Sequence, residues 1–180
     1  MIEGNRVVLR PMKQEDIAEF VELTANAKEN GDYFPLIIRS KVQFEKQFNE
    51  TGFWGEQGGR AMITDKIGNL VGQVSYFKGS FYMAGYELGY QIFKREDHGK
   101  GYTTEAVKLM SAYLFQEYNI GRLQISMSVE HEGSGKVAEK CGYQFEGVRR
   151  KVIFFRGRFV DAKLYSLIRE ECPLLDNLIV

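Results

Sequence analysis

Two glycines one residue apart, in His98-Gly99-Lys100-Gly101-Tyr102-Thr103, stand directly before a stretch with helical spacing of apolar residues. Glycine lets the main chain turn tightly and bring its N–H groups close to a ligand. A helix that starts there adds unpaired N–H donors and partial positive charge, so the segment is suited to an anion the size of a pyrophosphate. A turn that only leads into a helix cap gives the same letters, and spacing alone leaves that reading open. The segment is not a Walker loop, because Lys100 lies between the glycines, and no GxGxxG opens a dinucleotide fold. Upstream, Glu87 falls between Tyr86 and Leu88 in a strand-like stretch, opposite to both in the alternation; it is a candidate base or an ion-pair partner. Downstream, Ser134 opens a short helical stretch, where its hydroxyl can cap the helix, donate to a ligand, or both. His131, three residues earlier, is a titratable loop residue or a solvated one.

The elements that must position these groups follow from periodicity. Arg6 to Leu9 reads as a strand, and Ile17, Phe20, Val21 and Thr24 share a helical face. Asn26 to Ser40 carries Gly31 and Pro35 and reads as a loop; Val42, Phe44 and Phe48 predict a second short helix before a loop over Gly52 to Gly59. Ala61 to Thr64, Leu70 to Phe77 and Tyr86 to Phe93 form an antiparallel meander. Ala106, Leu109, Met110, Tyr113 and Leu114 make Tyr102 to Tyr118 the clearest helix, with Gly121 as its stop. Leu123, Ile125, Met127 and Val129 alternate with polar residues and mark a strand. A short helix runs from Ser134, as its cap, to about Cys141, and strands Tyr143 to Phe155 and Phe159 to Ile168 close the chain through a turn at Arg156 to Arg158. This order predicts an α/β sandwich around a mixed sheet.

Composition narrows the partners. The 180 residues, 44% hydrophobic, suit one domain over 1–180. Lys plus Arg and Asp plus Glu both number 24, so the total favours neither nucleic acid nor a membrane surface. Met1 to Arg10 lacks an apolar run and no stretch reaches the roughly 20 apolar residues of a span, which predicts a soluble, cytoplasmic protein. Cys141 and Cys172 are read as reduced, with one buried, and two distant histidines give no metal site.

Three ordered motifs carry a family resemblance: Glu87-Leu88-Gly89-Tyr90, the HGKGYTTEA segment from His98 to Ala106, and Glu139-Lys140-Cys141-Gly142-Tyr143-Gln144-Phe145-Glu146-Gly147. With Val8-Leu9-Arg10-Pro11 and Gly157-Arg158-Phe159-Val160-Asp161 they cover nearly the whole chain, which resembles the GNAT superfamily in its RimJ/RimL branch. The resemblance implies a mixed, mostly antiparallel sheet flanked by helices in a single domain, and an acetyl-CoA-dependent N-acetyltransferase acting on a primary amine by direct attack. It assigns the CoA pyrophosphate to His98, Gly99, Lys100, Gly101, Tyr102 and Thr103, and the pantetheine arm to the strand from Tyr90, with Gln91, Ile92 and Phe93. Amides near Gln91 and Ile92 would hold the oxyanion if the strand bulges there. Glu87 would be the base and Ser134 the donor to the departing thiolate, since the branch has a serine three residues after an asparagine; here His131 replaces that asparagine at the cosubstrate site. Glu96 replaces a common Gln or Arg, and the tyrosine acid of the wider superfamily aligns with Ala138. These departures support an alternative, a non-catalytic acyl-CoA-binding or regulatory module.

The acceptor is read less sharply. Phe34, Trp54, Phe81 and Tyr82 fall in turns and could line an acceptor cleft or pack loops, and Glu29 and Asp32 would suit a cationic amine. An α-amino group ionises about 2.6 units below a lysine amine, so it reaches its reactive neutral form for about 3.5 kcal/mol less. That favours a protein N-terminus over a polyamine or an amine-bearing antibiotic. No nucleic acid or membrane partner is expected, and a homodimer is compatible with the sequence.

Overall fold

Alternation along the strand Gly58–Asp65 shows how the layers are built: Ala61 and Ile63 pack against a long helix on one face, and Met62 between them packs against two shorter helices on the other. The computed structural model describes residues 1–180 apart from Ala27, Asn30, Leu36, Ile37, Arg39 and Phe81. In chain order the elements are β1 (Ile2–Glu3), β2 (Val7–Pro11), α1 (Asp16–Ala25), α2 (Lys41–Thr51), β3 (Trp54–Gly55), β4 (Gly58–Asp65), β5 (Leu70–Phe77), β6 (Gly85–Ile92), α3 (Tyr102–Glu117), β7 (Arg122–Ser128), α4 (Glu132–Lys140), β8 (Gln144–Phe155) and β9 (Arg158–Ile168). The sheet order is β1-β2-β4-β5-β6-β7-β9-β8, with β3 paired to β4. Every pairing is antiparallel except that of β6 with β7. The expected mixed, mostly antiparallel sheet flanked by helices is therefore present. Short β1 and β3 are additions to the predicted order; β3 arises because Trp54 packs on Tyr76 and Tyr113 instead of remaining in a loop.

The long helix α3 is tied at both ends. At its start the Glu105 carboxylate accepts from three main-chain amides of the β1–β2 turn, Asn5, Arg6 and Val7, at 2.7, 2.8 and 3.1 Å. A carboxylate in the first helical turn also faces the positive end of the helix dipole. At its far end Arg169 donates to the carbonyls of Phe115, Tyr118 and Ile120, at and just past the helix terminus. The buried face between them carries Ala106, Val107, Leu109, Met110 and Leu114. The helix start is thereby fixed against β2.

Replacing Glu105 with Ala removes the acceptor for three amides at once and should lower stability by about 2 kcal/mol, with Glu105→Gln losing less. Denaturant unfolding of both variants checks this, and equal stability of Glu105→Ala and the parent would refute it.

Candidate active site

The parallel pair β6–β7 lasts for three rungs, Gly85 with Arg122, Tyr86 with Leu123 and Glu87 with Gln124. Beyond Glu87 the strands part, although each keeps its outer neighbour: β5 stays paired to Ile92 and β9 to Ser128. Gly85 permits the close approach at the joined end, since a Cβ there would collide with the Arg122 carbonyl oxygen. Phe93 N–H donates to Val71 O at 3.0 Å, and the β5–β6 register runs without a shift from Glu87 to Ile92. Antiparallel main-chain groups alternate in direction, so Gln91 and Phe93 face β5 while Tyr90 and Ile92 face the gap. The gap forms a cleft of about 630 Å³ that includes Tyr90, Ile92, Ile125, Met127 and the amino-terminal ends of α3 and α4 in its lining.

One end of the cleft is an anion cradle. Gly99 and Gly101 adopt φ of 77° and 86°, left-handed values that glycine takes without strain. Gly101 is the N-cap of α3, and no side chain caps the helix. The first intrahelical bond is Glu105 N–H to Gly101 O, so the amides of Gly101, Tyr102, Thr103 and Thr104 have no helical acceptor, and all four residues line the cleft. Lys136 and Lys140, one turn apart on α4, face the same space. Amide donors, a helix dipole and two ammonium groups suit a diphosphate.

At the middle of the cleft the Tyr90 and Ser134 hydroxyls lie 2.7 Å apart. Burial pushes the Tyr90 phenol well above its ordinary value, so it stays a neutral hydroxyl, and in its contact with Ser134 either group can donate. His131 caps α4: its Nδ1 accepts from Ser134 N–H at 3.3 Å, and its ring stacks on Tyr33 with centroids 4.3 Å apart. Burial, and next the charge of His98, hold His131 below the usual histidine value. At the vertex, Glu87 accepts from Gln124 Nε2 at 2.7 Å, on the last rung before the strands separate.

Several expectations change. Ser134 is not the N-cap; His131 takes that place, and Ser134 is the third residue of α4. The bulge near Gln91 is absent, and the amides toward the cleft are those of Tyr90 and Ile92. Gln91 lines the cleft with a side chain bonded to Gln73, but its amide faces β5. Phe93 is fully buried against Phe20 and does not reach the cleft. Lys100 also stays outside the lining, ion-paired to Asp97 at 2.8 Å, whereas His98, Gly99, Gly101, Tyr102, Thr103 and His131 line it. Ala138 is fully buried and Glu96 exposed in a turn. Phe34 and Asp32 reach the lining, Glu29 accepts from the Arg95 amide, Tyr82 is solvent-exposed, and Phe81 is outside the described residues. Sequence reasoning missed the Tyr90 hydroxyl and the Lys136–Lys140 pair, although the four-residue spacing of the lysines was available. Among the described residues no cluster fits a metal ion, and no helix is long and apolar enough to cross a membrane.

Comparison with known proteins agrees with this geometry. The model of the acetyltransferase (GNAT) domain family matches residues 6–144. A Bacillus subtilis protein named Probable N-acetyltransferase YjcK is 25% identical over 181 residues, covering 95% of this chain and 98% of its own length. A spermidine N-acetyltransferase from Vibrio cholerae, solved in complex with CoA and spermine, superposes with a TM-score of 0.78 at 22% identity, over 92% of this chain and 96% of that one. A GNAT-family acetyltransferase from Bacillus anthracis gives a TM-score of 0.78 at 24% identity, over 94% and 99%.

The His131 cap exists only while Nδ1 is unprotonated. A histidine held below its unfolded value of about 6.5 stabilises the fold fully above that pH and loses its contribution as pH falls through the folded value. The Tm gap between the parent and His131→Asn, which caps without titrating, should therefore shift against the parent below about pH 6.5. Parallel Tm curves from pH 8 to 5 would contradict the assignment.

Proposed function

The chain belongs to the GNAT acetyltransferase family, and from that premise we propose that residues 1–180 act as one unit that transfers an acetyl group from acetyl-CoA to a primary amine, with a protein N-terminus as the favoured acceptor. The observation that carries the proposal is the continuity of one cleft from the uncapped α3 terminus, past the inward amides of β6, to Leu88, the neighbour of Glu87, which stands on the last paired rung just outside the lining. The motifs around Glu87, His98 and Cys141 support the RimJ/RimL branch. Two free thiols, Cys141 and Cys172, suit a reducing cytoplasm.

Acetyl-CoA supplies an activated thioester. The Gly99–Thr104 turn and Lys136 and Lys140 hold its diphosphate, and the main-chain groups of Tyr90 and Ile92 hold the pantetheine arm and the thioester oxygen, where negative charge grows during attack. Glu87, directly or through a water, receives the proton that the amine loses as its nitrogen bonds to the acetyl carbon. As the C–S bond breaks, the Ser134 hydroxyl hydrogen-bonds the departing CoA thiolate and keeps its own proton, and the thiolate is protonated from solvent. Tyr90, donating to the Ser134 oxygen, strengthens that donor through a chained hydrogen bond and fills part of the place left by the missing tyrosine at Ala138. An α-amino group suits this modest base, because it reaches its neutral form for about 3.5 kcal/mol less than a lysine-type amine.

Free-thiol release from acetyl-CoA across a panel of amines tests the reading. Amine-dependent release is expected, and Glu87→Gln should lower kcat on the order of a hundredfold while acetyl-CoA affinity by calorimetry stays unchanged. Binding of acetyl-CoA with no release for any amine would instead favour the non-catalytic acyl-CoA-binding module.

A further inference from the structure

Beside the cleft the sheet holds a cation that the transfer chemistry leaves unused. Arg149 on β8 pairs in register with Ala162 of β9, which pairs with Ser128 of β7; these three residues, with Ser126 and Gln124, share one face of the sheet. One Arg149 guanidinium nitrogen donates to the Ser126 hydroxyl, and Ser126 lines the cleft. Arg149 Nε is buried with no hydrogen-bond partner, and among the described residues no carboxylate forms an ion pair with this guanidinium. A half-buried, incompletely bonded guanidinium is costly unless a ligand completes it.

Local backbone geometry holds Arg149 in this place. The β8–β9 register shifts twice: the first, between Phe145 and Gly147, brings Arg149 level with Ala162, and the second lies between Arg149 and Ile153, where Lys151 takes φ of 51°, held by its amide donating to Asp161 Oδ1 at 2.9 Å. Bulges of this kind re-aim side chains, and past this one Ile153 and Phe155 turn into the cleft lining. The same face carries Glu87, bonded to Gln124. Gln124 and Ser126 stand two residues apart on β7, so the carboxylate and the guanidinium are anchored about 7 Å from each other along the strand.

We propose that Arg149 selects the acceptor by binding a carbonyl oxygen of a peptide N-terminus whose amine lies at Glu87. The inference rests on the transfer reading and deepens it. The first two carbonyls of a peptide lie within one or two residue lengths of its amine, about 3.5 to 7 Å, which matches the spacing of the two anchors. A polyamine offers no acceptor atom to this guanidinium and brings further positive charge beside it. The carboxylates in the cleft lining do not offset that charge: Asp32 lies 3.9 Å from Arg156 and Asp97 is paired with Lys100.

The test compares an alanine-led peptide, n-butylamine and spermidine as acceptors for the parent, Arg149→Met and Arg149→Lys, each variant first checked for its Tm and for acetyl-CoA affinity by calorimetry. Taking variant-to-parent ratios for each acceptor cancels the difference in amine pKa. Arg149→Met should raise KM for the peptide about tenfold or more and leave kcat/KM for n-butylamine within about twofold. For spermidine it should leave kcat/KM unchanged or improved, and Arg149→Lys should fall between. If Arg149→Met does not fold, Ser126→Ala, which frees the guanidinium from its anchor, should raise the peptide KM severalfold and leave n-butylamine unchanged. Equal losses for all three acceptors, or an unchanged peptide KM, would overturn the role of Arg149 while leaving acetyl transfer intact. Failure of the parent to acetylate any of them would overturn the transfer reading and this inference with it.

Discussion

The parting of two parallel strands after Glu87 and Gln124 is the constraint on which the other features of the cleft depend, because it removes a hydrogen-bonding neighbour from β6 without loosening its other side. A sheet interior normally pairs every amide and carbonyl. Here β5 continues to hold Gln91 and Phe93 while Tyr90 and Ile92 are left facing a gap, so main-chain donors stand in a fixed direction on a rigid element. Donors placed in this way need little reorganisation when charge develops on a ligand oxygen. The joined end is as necessary as the open one. Gly85 lets the strands approach closely enough to pair, and Glu87 sits where pairing stops.

Helices convert the gap into a site with a direction. The α3 terminus, fixed through Glu105 to the β1–β2 turn, sets a cluster of unpaired amides at one end. On the other wall α4 contributes Lys136 and Lys140 and brings Ser134 against Tyr90. Contacts around the rims involve residues 28, 29, 31 and 33: Arg95 binds Lys28 O and Glu29, Tyr33 stacks on His131, and Arg156 binds Gly31 O. Negative charge is favoured at the α3 end, and the polar row of Glu87, Gln124, Ser126 and Arg149 lies on the side of the sheet opposite that helix.

Local signals carried most of the fold. Strict alternation from Leu123 to Val129 and the apolar face from Ala106 to Leu114 predicted β7 and α3 closely, and the strand over Leu70–Phe77 agrees at both ends. The glycine turn was legible because its two left-handed positions demand glycine. What escaped the sequence depended on distant contacts. Tyr90 reads as one more strand aromatic until α4 brings Ser134 to its hydroxyl, and Arg149 reads as one of three basic residues in a row until the register shift between Phe145 and Gly147 sets it opposite Ala162, on the face of Ser126. The absent bulge near Gln91 has the same origin: the direction of an amide is fixed by the neighbouring strand and not by the residue that carries it.

Residue-resolved amide hydrogen exchange, with and without acetyl-CoA, tests the central claim that the strand gap provides free main-chain donors for the cosubstrate. The account predicts that Gln91 and Phe93 are protected in both states, while Tyr90 and Ile92 exchange rapidly alone and become protected when acetyl-CoA binds. Protection of Tyr90 and Ile92 before ligand is added, or exchange unchanged by saturating acetyl-CoA, would contradict it.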